Sequence, residues 1–379
     1  MRIALLTNGI WPYVIGGMQK HSYFLAKYLA RNKVEVVLIH TNQQSQLDIN
    51  KLEYFSDEEK KYLTAYVVPT PQTPYFPGHY VYRSYLYSKA VFNCLKQVGN
   101  VDFIIAKSTT AWYMFRKGDR MGAPVGINIH GYEFMQRKAN FRTVLEGWML
   151  KWPFVYVNNK ADYVFSYGGK ITELIRKLGV SDNKIIELPA GIEEDWIADA
   201  IKPTSGIRRF VFVGRFERRK GIQELQEVIK KLHGYLCFEF HFIGPIPEEL
   251  QLKLPGVKYH GSIRDKEPLQ QVLQASHVLV CPSYAEGMPN VILEGMANGC
   301  SVIATDVGAV NHLVDETVGW LIPPADKNQL EDAIRKAVSI DDSELDQLRK
   351  NGLQRIRDQY TWDTIAKSTI AALQERIGA

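Results

Sequence analysis

Two glutamates eight residues apart, Glu286 and Glu294, bracket the stretch where this sequence concentrates side chains able to do chemistry. Between them lies GMPNVIL, in which Pro289 falls where a first helical residue is expected, because its missing N–H is one the first turn leaves unpaired anyway. Gly287 would let backbone approach a ligand, and the amides of Gly287, Met288 and Asn290 would open a helix whose N-terminus attracts an anion. A phosphate beside two carboxylates implies a ligand that also carries hydroxyls, since carboxylates only accept hydrogen bonds.

A second set of charges lies in GRFERRKG, Gly214 to Gly221. Gly214 follows a buried apolar run, so Arg215 and Lys220 bracket a loop at a strand's carboxyl end, where cations suit a diphosphate: Arg with paired donors, Lys as a point charge. Arg218 and Arg219, between them, read as solvated surface charge. His130 ends another strand-like run, Val125–His130, just before Gly131, so its imidazole is expected to project from a sheet edge. Gly16-Gly17 opens a helical pattern, Met18 to Asn32, and reads either as a ligand-facing loop or as a plain turn.

These residues need sheets to position them. Arg2–Thr7, a glycine loop, a helix and Val34–His40 form the first unit of a doubly wound α/β sheet. Asp102–Ala106, Val125–His130, Tyr163–Ser166 and Lys184–Leu188 extend it. After AIKPTSGI (Ala200–Ile207), read as a linker, Arg209–Val213 restarts the pattern, followed by Cys237–Ile243, Val257–His260, Val278–Cys281, Ser301–Thr305 and Val318–Ile322. Helices are expected over Asn328–Val338, Ser343–Gln359 and Trp362–Arg376, while Gln43 to Tyr80 reads as a long irregular excursion, either an acceptor or lid surface or a self-packed loop.

With 379 residues the chain exceeds one ordinary core and fits two domains. Net charge of +5 without dense Lys/Arg runs argues for an anionic small ligand or lipid surface and against nucleic acid. The four cysteines form no metal-ligand cluster and read as buried reduced thiols. No stretch approaches the roughly 20 apolar residues of a membrane span, so a cytoplasmic protein with at most peripheral membrane contact is expected. Such contact would suit the segment Phe134–Asn159, where Arg137, Lys138, Arg142 and Lys151 interleave with Trp148 and Trp152; a core helix with solvated charges is the other reading.

The motifs GRFERRKG and EGMPNVILEGMANGCSVIATDVGA, with PAGI at Pro189–Ile192 and the Gly16-Gly17 loop, resemble those of the family 4 retaining glycosyltransferases, over nearly the whole chain. The resemblance implies the GT-B fold, two Rossmann-like domains facing a central cleft, with the C-terminal helix returning to the first. On this chain that predicts an acceptor domain over 1–200, a nucleotide-sugar domain over 201–360 and the returning helix over 361–379. It implies that Glu286 lies near the donor sugar, that Gly287, Met288, Pro289 and Asn290 meet the sugar and phosphate, and that Glu294 binds the ribose. Arg215 and Lys220 match the pair that neutralises the diphosphate, His130 a histidine approaching the reacting sugar, and Gly17 a loop near the diphosphate. The sequence departs from the family at HGYE, where many relatives have His-Asp, and at Cys300-Ser301, where many have proline.

The resulting expectation is a retaining, metal-independent hexosyl- or N-acetylhexosaminyl-transferase. It would use a nucleotide-diphosphate sugar, no further cofactor, and a glycan or lipid-linked acceptor in surface polysaccharide or glycolipid assembly. A transferase to a small soluble acceptor, or a non-catalytic nucleotide-sugar-binding protein, are the alternatives.

Overall fold

The computed structural model describes residues 1–14, 16–41, 54–136 and 141–377, and for residues 133 and 141–150 the backbone alone. Arg137 and Lys138 of the basic aromatic segment therefore lie outside the described residues, as do the side chains of Arg142 and Trp148. The chain divides into two compact units. The first comprises Met1–Phe134, Arg142–Ala190 and Trp362–Ala379, and the second Met135–Phe141 and Gly191–Thr361.

Unit 1 is built on seven strands: β1 (Arg2–Leu6), β2 (Glu35–His40), β3 (Leu63–Val67), β4 (Phe103–Lys107), β5 (Val125–Asn128), β6 (Tyr163–Ser166) and β7 (Ile185–Glu187). They lie in the order β3-β2-β1-β4-β5-β6-β7, every neighbouring pair parallel. Runs such as RIALL, VVLI and FIIA are apolar on both faces because helices cover both sides of a parallel sheet. The helix Gly17–Arg31 packs Phe24 and Tyr28 against Trp362, the first residue of the final helix Trp362–Ile377. That helix buries Ile365, Ala366 and Leu373 in the same core, so the C-terminus does return to the first unit.

The stretch expected to be irregular, Gln43 to Tyr80, holds regular structure. Residues 54–80 include β3, paired with β2, and the start of the helix His79–Val98, while residues 42–53 lie outside the described residues.

Unit 2 repeats the plan with β8 (Arg208–Val213), β9 (Phe238–Ile243), β10 (Val257–Tyr259), β11 (Val278–Cys281), β12 (Ser301–Thr305) and β13 (Gly319–Ile322). The order is β10-β9-β8-β11-β12-β13, again all parallel. Phe210, Phe212, Phe240 and Phe242 fill one face with Val278, Val280 and Ile303. The cysteine expectation holds only in part: Cys281 and Cys300 are buried, Cys94 is half-buried and Cys237 is exposed. Burial pushes the Cys281 thiol up to about 11 and Cys300 to about 12.

In both sheets the strand order reverses beside the first strand of the unit, between β1 and β4 and between β8 and β11. Loops that leave such neighbouring strands in opposite directions open a crevice at their carboxyl ends, the usual ligand position in an open α/β sheet.

Candidate active site

In unit 2 the loops leaving β8 and β11 supply the charged residues singled out from the sequence. Gly221 (φ +66°) lets the first loop turn against the second: a Cβ there would lie 2.0 Å from the Pro282 carbonyl oxygen. The two loops are then joined by side chains. Lys220 Nζ lies 2.7 Å from Glu286 Oε1, with both side chains largely buried. Arg215 departs from the sequence-based picture in its surroundings, for its side chain is 68% exposed and pairs with Glu217 at 3.0 Å.

Arg218 and Arg219 correct the reading of solvated surface charge. Arg219 Nη1 donates to the Ala285 carbonyl at 3.1 Å and lies 3.6 Å from Glu286 Oε2, while its own carbonyl accepts from the Tyr284 amide. Arg218 pairs with Glu224 and donates to the Tyr284 hydroxyl at 3.0 Å. These residues form a 3₁₀ turn, Arg218–Lys220, which fans three consecutive side chains in different directions. A sequence spacing alone does not say which of three adjacent cations meets the glutamate.

Glu286 is held through its backbone as well. Gln136 Nε2 donates to the Glu286 carbonyl at 2.7 Å, and the Glu286 amide donates to Gln136 Oε1 at 3.1 Å. Gly308 (φ +59°) brings the loop after β12 onto the same turn, because a Cβ would lie 2.4 Å from the carbonyl oxygens of both Glu286 and Gly287. The Ala309 amide donates to the Gly287 carbonyl at 2.7 Å. Sequence reasoning found neither Gln136 nor this glycine contact; the pairing spans 150 positions and leaves no local pattern.

Met288 and Pro289 are buried, and Gly287 and Asn290 are partly exposed. The helix begins at Asn290, so Pro289 occupies the capping position in extended conformation and not the first helical position. Among the described residues no side chain caps this N-terminus. Glu294 is buried one turn inside the helix. The helix ends as its sequence suggests: the Gly299 amide donates to Met296 and the Cys300 amide to Gly295, with Gly299 left-handed at φ +77°.

Unit 1 carries a different group. His130 lies two residues beyond β5, not inside the strand, and is partly buried. The Tyr167 hydroxyl bonds its Nδ1 and lies 3.2 Å from Nε2. The His130 ring meets the edge of His21 at 5.1 Å between centroids. His21 Nδ1 in turn lies 3.0 Å from Lys107 Nζ, which donates to Asn128 Oδ1 at 2.6 Å. Lys107 is the last residue of β4 and is 0% exposed. Burial holds its amine well below the usual lysine range. Burial first, and Lys107 second, hold His21 and His130 well below the ordinary imidazole value; burial also raises the Tyr167 phenol. His21 Nε2 and Asn128 Nδ2 are buried without a hydrogen-bond partner among the described residues. Gly17 begins the helix that carries His21, and a Cβ on it would meet no atom within 4 Å. Of this cluster the sequence pointed only to His130 and Gly17.

At the switch point of unit 2 the partly buried cations Arg218, Arg219 and Lys220, a helix N-terminus and the carboxylates Glu286 and Glu294 come together, an arrangement chemically able to hold an anion. Among the described residues no group of three or more His, Cys, Asp or Glu is arranged to hold a metal ion. No described helix is long and apolar enough to cross a membrane.

Residues 207–339 match the family model described as Glycosyl transferases group 1, and residues 15–196 match Glycosyltransferase Family 4. A glycosyltransferase ascribed to teichuronic acid biosynthesis in Bacillus subtilis (strain 168) is 32% identical over 46% of this chain and 46% of its own length. The chain spans about half the length, or less, of the curated relatives it matches first. Among solved structures, the sucrose-phosphate synthase of Thermosynechococcus elongatus superposes with a TM-score of 0.79 at 19% identity, over 100% of this chain and 99% of that one. Anabaena HepE, solved with UDP-glucose, gives 0.68 at 15% identity over 99% and 100%.

Proposed function

We propose a specific transfer reaction on one premise: the chain belongs to the family 4 glycosyltransferases and has their GT-B architecture of two Rossmann-like units. The reaction is transfer of a hexosyl or N-acetylhexosaminyl unit, with retention of configuration, from a nucleotide-diphosphate sugar to a glycan or lipid-linked acceptor. Its setting is cell-surface polysaccharide or glycolipid assembly, on the cytoplasmic side of a membrane. The relative ascribed to teichuronic acid biosynthesis supports the polysaccharide setting, and the neighbour solved with UDP-glucose supports the donor class.

The observation that carries the reading is the Lys220–Glu286 pair at the β8/β11 reversal, 2.7 Å apart beside an uncapped helix N-terminus. When the glycosidic C1–O bond to the diphosphate breaks, negative charge grows on the leaving group. Lys220 and Arg215 stabilise that charge most in the transition state, which is where binding accelerates a reaction. They take the role a divalent cation fills elsewhere. The amides opening the helix Asn290–Ala297 meet phosphate and sugar, and Glu294 accepts from the ribose hydroxyls. Glu286, fixed through its backbone by Gln136, accepts from the donor sugar hydroxyls and acts by position and charge, not as a nucleophile. The acceptor oxygen attacks C1 on the face the diphosphate leaves, and its proton passes to the departing phosphate oxygen. Unit 1 serves the acceptor, with His130, held by the Tyr167 hydroxyl, as its candidate catalytic group.

A panel of UDP-, GDP- and ADP-sugars, assayed for released nucleoside diphosphate with and without a chelator, tests this. Turnover is expected with one donor and chelator present. Lys220→Ala and Glu286→Ala are each expected to lower the rate by roughly 10²–10³. Near-normal turnover in both variants overturns the site, and an inverted product anomer by proton NMR overturns retention.

A further inference from the structure

We propose that unit 1 docks on an anionic lipid bilayer through an aromatic and basic face formed by the helices His79–Val98, Trp112–Lys117 and Phe141–Lys160. The proposal deepens the membrane-side setting above and rests on that reading only for its biological purpose.

The charge distribution is lopsided. Across residues 60–118 the only carboxylate side chain is Asp102, and the helix His79–Val98 contains no acid at all. On that helix Tyr82, Tyr85 and Lys89 fall three and four residues apart, which places them on one stripe. Tyr82 is 49% exposed, and Phe76, ahead of the helix, reaches it at 6.2 Å between ring centroids. Tyr75 is 90% exposed. The stripe continues through Tyr85 to Trp112 at 5.1 Å and from Trp112 to Trp152 at 5.7 Å. Trp152, on the third helix, is 59% exposed and stacks on Tyr156.

Cations sit on these rings. Arg116 lies over Tyr85, and Lys89 and Lys117 lie over Tyr113, each within 5.8 Å of the ring centroid. Lys151 adjoins Trp152 and is exposed. Among the described residues none of these four cations is ion-paired with a carboxylate.

Exposed Tyr and Trp rings interleaved with unpaired cations match a bilayer interface, where amphipathic rings sit at headgroup level and Lys/Arg meet anionic lipid. A neutral carbohydrate would stack on the rings without using the charge, whereas an anionic lipid surface uses both. Tyr82 and Trp152 stand on the outer side of well-packed helices, with Trp112 buried beneath them and Tyr87, Val91 and Leu95 of the first helix buried as well.

Sedimentation of the full chain with phosphatidylcholine vesicles, with and without phosphatidylglycerol, tests the proposal in the absence of any donor or acceptor. Binding is expected only with phosphatidylglycerol and is expected to weaken with salt. Each of Arg116→Gln, Lys117→Gln and Lys151→Gln should lower the partition coefficient about 5-fold, and the three together roughly 10². Trp152→Ala, checked for folding by circular dichroism, should weaken it further. Absence of binding, equal binding to both vesicle types, or vesicle binding unchanged in the triple variant overturns the proposal. Retention on an anionic polysaccharide in place of vesicles also overturns it and marks a glycan surface. Nucleotide-sugar turnover in solution should be unaffected in all these variants, so loss of lipid binding and loss of the transfer reading are separately visible.

Discussion

A Lys107→Met variant tests whether the amine buried at the end of β4 is uncharged in the native protein. Lys107 is 0% exposed, and its two contacts, His21 Nδ1 at 3.0 Å and Asn128 Oδ1 at 2.6 Å, are neutral groups. Burial lowers its pKa from 10.5, so over the window between the native value and 10.5 the unfolded chain holds a proton that the native chain lacks. Stability must therefore rise with pH across that window, by about 1.4 kcal/mol per unit for a full proton. Between the native value and 10.5 the wild type should gain stability relative to Lys107→Met, which has no amine to titrate, with a slope of up to about 1.4 kcal/mol per pH unit. The variant also leaves two buried acceptors without their donor, at about 1–3 kcal/mol each, but that cost does not change over this range. Urea dependence of β4 amide exchange reports on unit 1 alone and supplies both curves. Parallel pH dependences for wild type and variant would show that Lys107 keeps its proton on folding, and the uncharged-cluster argument would then fail.

Two further outcomes follow from the same contacts. His21, buried and held below 6.5, should make the native state lose stability as pH falls below about 6.5, because the unfolded chain then binds the extra proton; His21→Asn should flatten that limb by up to about 1.4 kcal/mol per unit. Arg219→Gln removes the donor to the Ala285 carbonyl and the second cation beside Glu286, and should weaken nucleoside-diphosphate binding about tenfold by calorimetry, while unchanged affinity would restore the solvated-charge reading.

The strands of both sheets were legible because two-faced burial demands runs such as VVLI, FIIA and SVIAT, and these have no competing periodicity. The strand β3 was not, because it closes one edge of its sheet: LTAYV is partly exposed along its length and is followed by a proline-rich run. The helix His79–Val98 was obscured by tyrosines on its exposed stripe, which blur the contrast between faces. At the site, Lys220 and Glu286 were legible because each terminates a recognisable strand–loop corner. Lys107 was not, for a lysine ending FIIAK reads as a charge leaving the sheet. What buries it arrives from positions 21 and 128, and no local pattern announces that.

The same strand order carries two unlike clusters, and on the proposed reaction the difference follows from the charge each would handle. A diphosphate arriving at the β8/β11 crevice needs cations, but buried cations left alone carry a large desolvation cost. The Lys220–Glu286 pair offsets part of that cost, and on the proposed reaction Glu286 would hold the place of a phosphate until the donor arrives. On the proposed reaction, donor binding would exchange one anionic partner of Lys220 for another and free Glu286 Oε1 to accept from the sugar. An acceptor site in unit 1 has the opposite requirement. An acceptor hydroxyl carries no charge to balance, so a buried ion beside it would go uncompensated. Around His130 such a site would be built from Asn128 and from His21, Lys107 and Tyr167, whose neutral forms burial favours. If unit 1 serves the acceptor as proposed, Lys107 suits it because, among the described residues, its hydrogen-bond partners are an imidazole and an amide, and burial beside neutral partners favours the neutral amine where a carboxylate would favour the charged one.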